Sequence, residues 1–367
     1  MRKVFRLRLF ARTTGLSTRN TAEHYRAIIG LKNALDLYLL ELILTPMKKN
    51  LSLLLSAALL AFGASSNGFS QAKQLTIAAI PKATTHSYWK AAEAGARKAA
   101  AEMGVKLEWQ GPLDDSKIAD QIGIFNNLAA SGVDGILLAP CDDRALLPHV
   151  KLVSKRSIPI VIFDSPLSGK QGKDFVSFIA TDNKAAGKTA AEQLTKLVGE
   201  SPANGGQVLV IRFTEGSAST RLREDGFTEA LKGGKLNIAA QQFTDGSMAG
   251  AQRVAETLLG NYVKDNKLAL DGIFASNQPT AEGTYNAIKA LKSKGVEIST
   301  KFVGFDDSEL LVAGLKSGII QALVVQDPER MGYLGVKTVV DFINKKPVEG
   351  YVDTGVTVKT AESVAKP

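Results

Sequence analysis

From Gln74 onward, short β-branched apolar runs alternate with longer, Ala-rich amphipathic stretches. Strand-like runs are LTIAAI (75–80), VKLEW (105–109), GILLA (135–139), IPIVIF (158–163) and FVSFIA (175–180). A second series follows: QVLVIRF (207–213), LNIAAQQF (236–243), GIFAS (272–276), FVGF (302–305) and IIQALVVQ (319–326). Between them the apolar positions recur at helical spacing, as over 88–103, 118–130, 184–198 and 249–259. Strands that are apolar on both faces and alternate with helices predict parallel sheets covered by helices on each side. Ten such strands crowd a single open sheet. Two series of similar rhythm, split near Ala180–Asp182, therefore predict two doubly wound α/β lobes.

The segment before this pattern is different. From Met47 the text reads MKKNLSLLLSAALLAFGASSNGFSQAKQ. Lys48 and Lys49 form a positive start, 51–62 an uncharged run, and Ser70-Gln71-Ala72 a small-x-small cleavage site. That is the layout of a secretory signal peptide over 47–72, with an apolar run too short to span a bilayer. No Cys stands at the cleavage site, so a lipid anchor is not indicated. The exported chain is expected to begin near Lys73, in the periplasm. Residues 1–46 read as an upstream extension ahead of a start at Met47. TGLSTRNTAEHYRAI within them has a helix-turn-helix flavour, but a DNA-binding head sits badly before an export signal.

Charge changes the picture only until it is located. The chain of 367 residues carries a formal +9, which by itself suggests an anionic partner. Residues 1–72 hold ten Lys/Arg against three Asp/Glu, leaving 35 against 33 for the remainder. The basicity belongs to the leader, and nucleic acid is not an expected partner. Cys141 is the only cysteine, so no intramolecular disulfide forms. His86 and His149, with one Cys, do not make a recognisable metal site, and no cofactor is expected.

In doubly wound sheets ligands bind beyond the carboxyl ends of the strands. Those positions here carry Lys82, then His86, Tyr88 and Trp89; Asp142 and Asp143; Asp164; Arg221 and Arg223; Asn277 and Gln278; Asp306; and Gln326. Carboxylates, amides, an arginine and aromatics suit a polyhydroxylated ligand, whose hydroxyls each donate and accept. Tyr88 and Trp89 could stack on a sugar ring. A lone Asp after a strand is as readily a helix N-cap, the role expected of Asp142, Asp182 and Asp307. Arg221 reads as a surface or domain-packing residue, and His149 and Trp109 as structural.

TIAAIPKATTHSYWKAAEAGA, GVDGILLAP, IPIVIFDSP, FIATDNKAAGKTAAEQL, SASTRLREDGF, DGIFASNQ, VGFDDSE and ALVVQDPERMGYLGV, in this order, resemble the type I periplasmic sugar-binding proteins of the ribose/allose/galactose-binding family. The resemblance covers residues 74–360. It implies two Rossmann-like lobes, 73–181 plus 327–354 and 182–326 plus 355–367. Three hinge crossings would fall near Thr181, near Gln326–Asp327 and near Tyr351–Gly355. It places the ligand residues at Lys82, His86, Tyr88, Trp89, Asp164, Arg223, Asn277, Asp306 and Gln326. Asp164, Arg223, Asn277, Asp306 and Gln326 keep the family's residue types. Lys82 and Trp89 resemble the allose-binding branch. His86 departs from the usual Asn, Ser87 from a usual Pro, and Gly246 from a third aromatic; the calcium loop of the galactose-binding branch is not evident.

The resemblance implies a monomeric, non-enzymatic solute-binding component of an ABC importer. It would close on a neutral hexose such as an allose-like sugar and deliver it to a membrane permease and its ATPase. Lys82 is then either a donor to a neutral sugar or the counter-charge of an acidic one, with the donor role favoured because Asp164 and Asp306 already supply negative charge. The other uses weighed are a receptor feeding a chemoreceptor or sensor kinase, the effector domain of a transcription regulator, and an enzyme built on Cys141. The last lacks a base within reach of the thiol.

Overall fold

The computed structural model describes residues 73–199 and 205–365. The signal peptide read at 47–72 and the extension at 1–46 lie outside the described residues. In chain order the first half runs β1 Thr76–Ile80, α1 Ser87–Met103, β2 Lys106–Trp109, α2 Ile118–Ala130, β3 Gly135–Leu138, α3 Leu147–Ser154, β4 Ile160–Phe163 and β5 Ser177–Ala180. It continues with α4 Asn183–Val198, β6 Gly206–Arg212, α5 Ala218–Leu231, β7 Leu236–Phe243, α6 Met248–Gly260, the short hairpin β8 Val263–Lys264 and β9 Lys267–Leu268, β10 Gly272–Ala275, α7 Gln278–Ser293, β11 Lys301–Phe305, α8 Glu309–Lys316 and β12 Ala322–Val325. The chain ends in α9 Pro328–Ile343, β13 Tyr351–Asp353, β14 Thr357–Lys359 and α10 Ala361–Ala365.

Two six-stranded sheets result, ordered β2-β1-β3-β4-β5-β13 and β7-β6-β10-β11-β12-β14. They share one winding, and every pairing within them is parallel except β12 with β14. Ten of these twelve strands lie on the ten apolar runs of the sequence. The remaining two, β13 and β14, are three-residue edge strands with partly exposed side chains and left no apolar run to read. The chain passes between the sheets after β5, after β12 and after β13. Thr181 Oγ1 donates to the Gly355 carbonyl, tying two of these crossings together.

The uniformly apolar strands are explained by burial on both faces. In the first sheet Ile77, Leu137, Val161, Phe163 and Ile179 pack under α1 and α9, while Ile80, Ile136, Leu138 and Ile162 face α2 and α3. In the second, Val208, Val210, Phe274 and Phe305 pack under α4 and α5, and Leu209, Ile211, Ile273 and Leu323 under α6, α7 and α8. The helices of each inner pair meet backbone to backbone. A Cβ on Gly187 of α4 would lie 1.9 Å from the Arg223 carbonyl oxygen of α5, and one on Gly95 of α1 1.9 Å from that of Glu329 on α9. Only glycine admits such an approach, which fixes where α1 and α5 deliver their first turns.

Two of the three expected aspartate caps are corrected. Asp182 does cap α4, accepting from Ala185 N at 3.0 Å. Asp307 does not cap α8. Ser308 stands one residue nearer the helix and accepts from Leu311 N, while Asp307 pairs with Lys359 on β14. Asp142 accepts from Arg144 N and Ala145 N, each at 2.8 Å, and so closes a turn ahead of α3 rather than capping that helix.

Candidate functional site

The carboxyl ends of both sheets converge on one cavity. Lys82, His86, Tyr88, Trp89 and Asp164 line it from the first sheet's side, and Arg223, Asn277, Asp306 and Gln326 from the second's. All nine residues singled out from the sequence meet there. All except half-buried His86 are buried. The cavity measures about 30 Å³, room for a water molecule or two.

On the first wall, α1 begins right after the β1 loop, so its first turn aims Tyr88 and Trp89 at the cavity. The two rings pack edge to face with centroids 5.0 Å apart, and Trp89 rests edge-on against Phe163 at 6.0 Å. Asp164 follows β4 with φ of 61°, a left-handed conformation that Asp tolerates better than most residues. It accepts from Tyr88 Oη at 2.7 Å and forms an ion pair with Lys82 Nζ at 3.0 Å. Lys82 also donates to Ser219 Oγ at 3.1 Å and Ser217 Oγ at 3.5 Å, both on the opposite wall. Its ammonium is thus held by one carboxylate and two hydroxyls. Burial and the facing carboxylates of Asp164 and Asp306 push the Tyr88 phenol well above its ordinary range, so it remains a neutral donor.

On the second wall, Arg223 is almost fully buried. Its Nε donates to Asn183 Oδ1 at 2.7 Å, its Nη1 to the Ser276 carbonyl at 3.0 Å, and its guanidinium lies 4.0 Å over the Phe305 ring. The remaining N–H groups are left for the cavity. Asn277 caps α7: its Oδ1 accepts from Thr280 N at 3.2 Å, which leaves its Nδ2 as the free donor. Asp306 follows β11 with φ of 66° and accepts from Gln326 Nε2 at 2.7 Å. Burial pushes the Asp306 carboxyl up to about 6, against the pull of Arg223. Gln326 Oε1 is buried without a hydrogen-bond partner, an acceptor aimed into the site.

The walls also touch directly. Gln278 Oε1 accepts from Ser87 Oγ at 3.1 Å and from Tyr88 N at 3.2 Å. Ser165 Oγ accepts from Ser219 N at 3.2 Å, and Arg221 pairs with Asp143 at 3.1 Å. Arg221 thus packs one lobe against the other.

Several residues here escaped the sequence reading. Asp115, Ser219, Thr220 and Pro279 also line the cavity, as does Gln278, which the strand-end rule had already placed there beside Asn277. Asp115 lies in the loop after β2, where the same strand-end rule points, but beside Asp114, from which the rule does not separate it. Glu224 sits beneath the second wall, held by Arg212 at 2.6 Å, Phe213 N at 3.2 Å and Ser276 Oγ at 2.9 Å. Its only signal was adjacency to Arg223. Cys141 is buried with its Sγ 3.5 Å from the Lys82 carbonyl oxygen, and burial pushes its thiol well above the usual range. It is a packed, protonated thiol rather than a poised nucleophile. Among the described residues no cluster of His, Cys, Asp or Glu could hold a metal ion, and no helix is long and apolar enough to cross a membrane.

Comparison with known proteins adds four findings. The family profile of the periplasmic binding protein domain matches residues 77–347. The ribose import binding protein of Haemophilus influenzae is 30% identical over 310 residues, covering 84% of this chain and 99% of its own. A solute-binding protein of an ABC transporter from Agrobacterium vitis, solved with bound D-fucose, is 36% identical with a TM-score of 0.73, covering 80% of this chain and 97% of its own. A carbohydrate-transporter solute-binding protein from Agrobacterium radiobacter, solved with D-arabinose, is 33% identical with the same TM-score of 0.73 over 81% and 97%.

Proposed function

Because this chain belongs to the periplasmic binding protein family, in its type I sugar-binding branch, we propose that it captures a neutral monosaccharide in the periplasm and delivers it to an ABC importer. The observation that carries the reading is the composition of the two walls. An aromatic pair stands against buried carboxylates, amides and an arginine, all at strand ends of one cavity. Tyr88 and Trp89 offer ring faces or edges to the apolar side of a pyranose. Asp164 and Arg223 bracket adjacent hydroxyls from opposite lobes, while Asn277 Nδ2, Asp306 and Gln326 Oε1 serve the others. Hydrogen bonds to charged groups contribute roughly 1.5–3 kcal/mol each, so a mismatched epimer that leaves one unpaired loses about that much.

Capture proceeds by hinge closure. The three chain crossings lie together on one side, and the contacts holding the walls shut are polar. Each is worth about 0.5–1.5 kcal/mol net, so opening is accessible. The closed, ligand-filled form is what a permease would recognise. The protein acts as a monomer without chemistry on its cargo; the sugar-binding relatives named above are transport proteins.

The test is a thermal-shift screen of the purified protein against pentoses, neutral hexoses, polyols and uronates, with calorimetry on the hits. A neutral hexose at 100 times its Kd should stabilise the fold by about 2.7 kcal/mol through mass action. A protein whose melting is unmoved by every sugar in that panel does not have this function.

A further inference from the structure

The cavity holds one carboxylate that the nine residues do not include. Asp115 lies in the loop between β2 and α2, with only 7% of its surface exposed, and faces the same space as Lys82 and Trp89. Trp89 Nε1 donates to its Oδ1 at 3.3 Å. Among the described residues no Lys, Arg or His forms an ion pair with it. Lys82 on the same wall pairs with Asp164 and donates to two serines, and the His86 imidazole also faces Asp115.

A carboxylate offers about four acceptor positions, and the indole fills one. Among the described residues the Asp115 Oδ2 receives no hydrogen bond, so it stays open to a donor on a ligand in the cavity. The indole itself is held by edge contacts with Tyr88 and Phe163, so Asp115 is anchored to the aromatic wall. The charge balance points the same way. Three carboxylates, Asp115, Asp164 and Asp306, share the lining with two permanent cations, Lys82 and Arg223, and with the half-buried His86 imidazole beside Asp115. Burial already pushes the Asp115 carboxyl above its ordinary range, as expected where negative charge is disfavoured.

We propose that Asp115 is a ligand-contacting, specificity-determining residue: it accepts from hydroxyls of a neutral sugar at the Trp89 end of the cavity and excludes sugar acids. The proposal rests on the sugar-binding function above.

The test measures affinities of the wild-type protein, Asp115→Asn and Asp115→Glu for D-allose, D-galactose, D-glucose and D-fucose, and for D-galacturonate and D-glucuronate, by calorimetry. The wild type should bind a neutral sugar and reject both uronates by at least 100-fold. Asp115→Asn, which keeps the size and loses the charge, should weaken the neutral sugar at least tenfold and narrow the neutral-to-uronate ratio at least tenfold. Asp115→Glu should lose neutral affinity by displacing the carboxylate, yet keep the rejection of uronates; it carries the test if the Asn variant does not fold. A neutral affinity within twofold of wild type in Asp115→Asn, or an unchanged ratio, overturns the proposal alone. A wild type that binds none of the sugars overturns the function and this proposal with it.

Discussion

The fourth strand of each sheet ends in the same two residues with the same backbone, and the two ends do different work. Phe163-Asp164 closes β4 and Phe305-Asp306 closes β11, both aspartates in the left-handed region at φ of 61° and 66°. In the first lobe Phe163 backs the Trp89 ring, and Asp164 is neutralised by Lys82 while holding the Tyr88 hydroxyl. In the second lobe Phe305 lies under the Arg223 guanidinium, and Asp306 has an amide for its hydrogen-bond partner. A duplicated backbone thus places two carboxylates face to face. The helix that follows the first strand of each lobe, α1 after β1 or α5 after β6, decides their character: one supplies aromatic rings, the other a cation. A site with two unlike walls suits a ligand with an apolar face and a polar rim, as a pyranose has.

The largest break in this comparison is removal of the paired carboxylate. Asp164→Ala strands the Lys82 ammonium in a dry site, and breaking one partner of a buried pair costs about 3–5 kcal/mol. Chemical denaturation should show a loss of that size, with sugar binding abolished. Pairing it with Lys82→Met should recover most of the stability and none of the binding, because the orphaned charge is gone.

Asp306→Asn should move stability in the opposite direction. The folded carboxyl titrates at about 6 against an ordinary value of 3.8. The folded state therefore holds the proton more tightly than the unfolded chain. Its contribution is fully present below about pH 4, falls as pH rises through 6, and is absent above that. Asn keeps the left-handed backbone and the acceptor for Gln326 without the buried charge. At pH 7 the variant should be more stable in the absence of ligand, by on the order of 2 kcal/mol, with the slope between pH 4 and 6 reduced. Sugar affinity should fall roughly 10- to 100-fold, the loss of a charged acceptor. Denaturation midpoints across that pH range, set beside calorimetry, separate the two effects.

The smallest expected effect lies at the seam. Arg221 and Asp143 join the lobes at a partly exposed edge, where an ion pair contributes about 0–1 kcal/mol. Arg221→Ala should change affinity less than about threefold, and the difference should shrink in high salt. A tenfold loss would mean that the seam, and not the two walls, governs closure.

Much of this was legible in the chain. Burial on both faces makes each central strand a short β-branched run, so the two sheets and their winding could be read from rhythm alone. The strand-end rule then named positions, and the ordered motifs narrowed them to nine residues that line one cavity. The edge strands β13 and β14 were not legible, because three residues of mixed polarity carry no period. Asp115 was passed over because its loop, QGPLDDSK, offers two adjacent aspartates with nothing in the text to separate them. Only Asp115 is turned toward the Trp89 indole; Asp114 instead receives the Ser116 N–H at 3.0 Å within its own turn.

What the sequence determined by itself is which residues sit at the mouths of the strands, because hydrophobic periodicity fixes strand ends to within a residue or two. What only the tertiary structure decided is the state each of those residues is in. Lys82 could be a free counter-charge or a committed donor, and it is committed because Asp164 on its own wall and Ser219 on the opposite one, 82 and 137 positions further along the chain, arrive within 3.1 Å of it in the folded protein. Asn277 spends its carbonyl on capping α7 and keeps only its amide for a ligand. The Asp306 proton affinity is set by burial under the opposite wall. Hydrogen-bond partners and local dielectric are properties of the folded neighbourhood, and they enter only when distant segments close over one another.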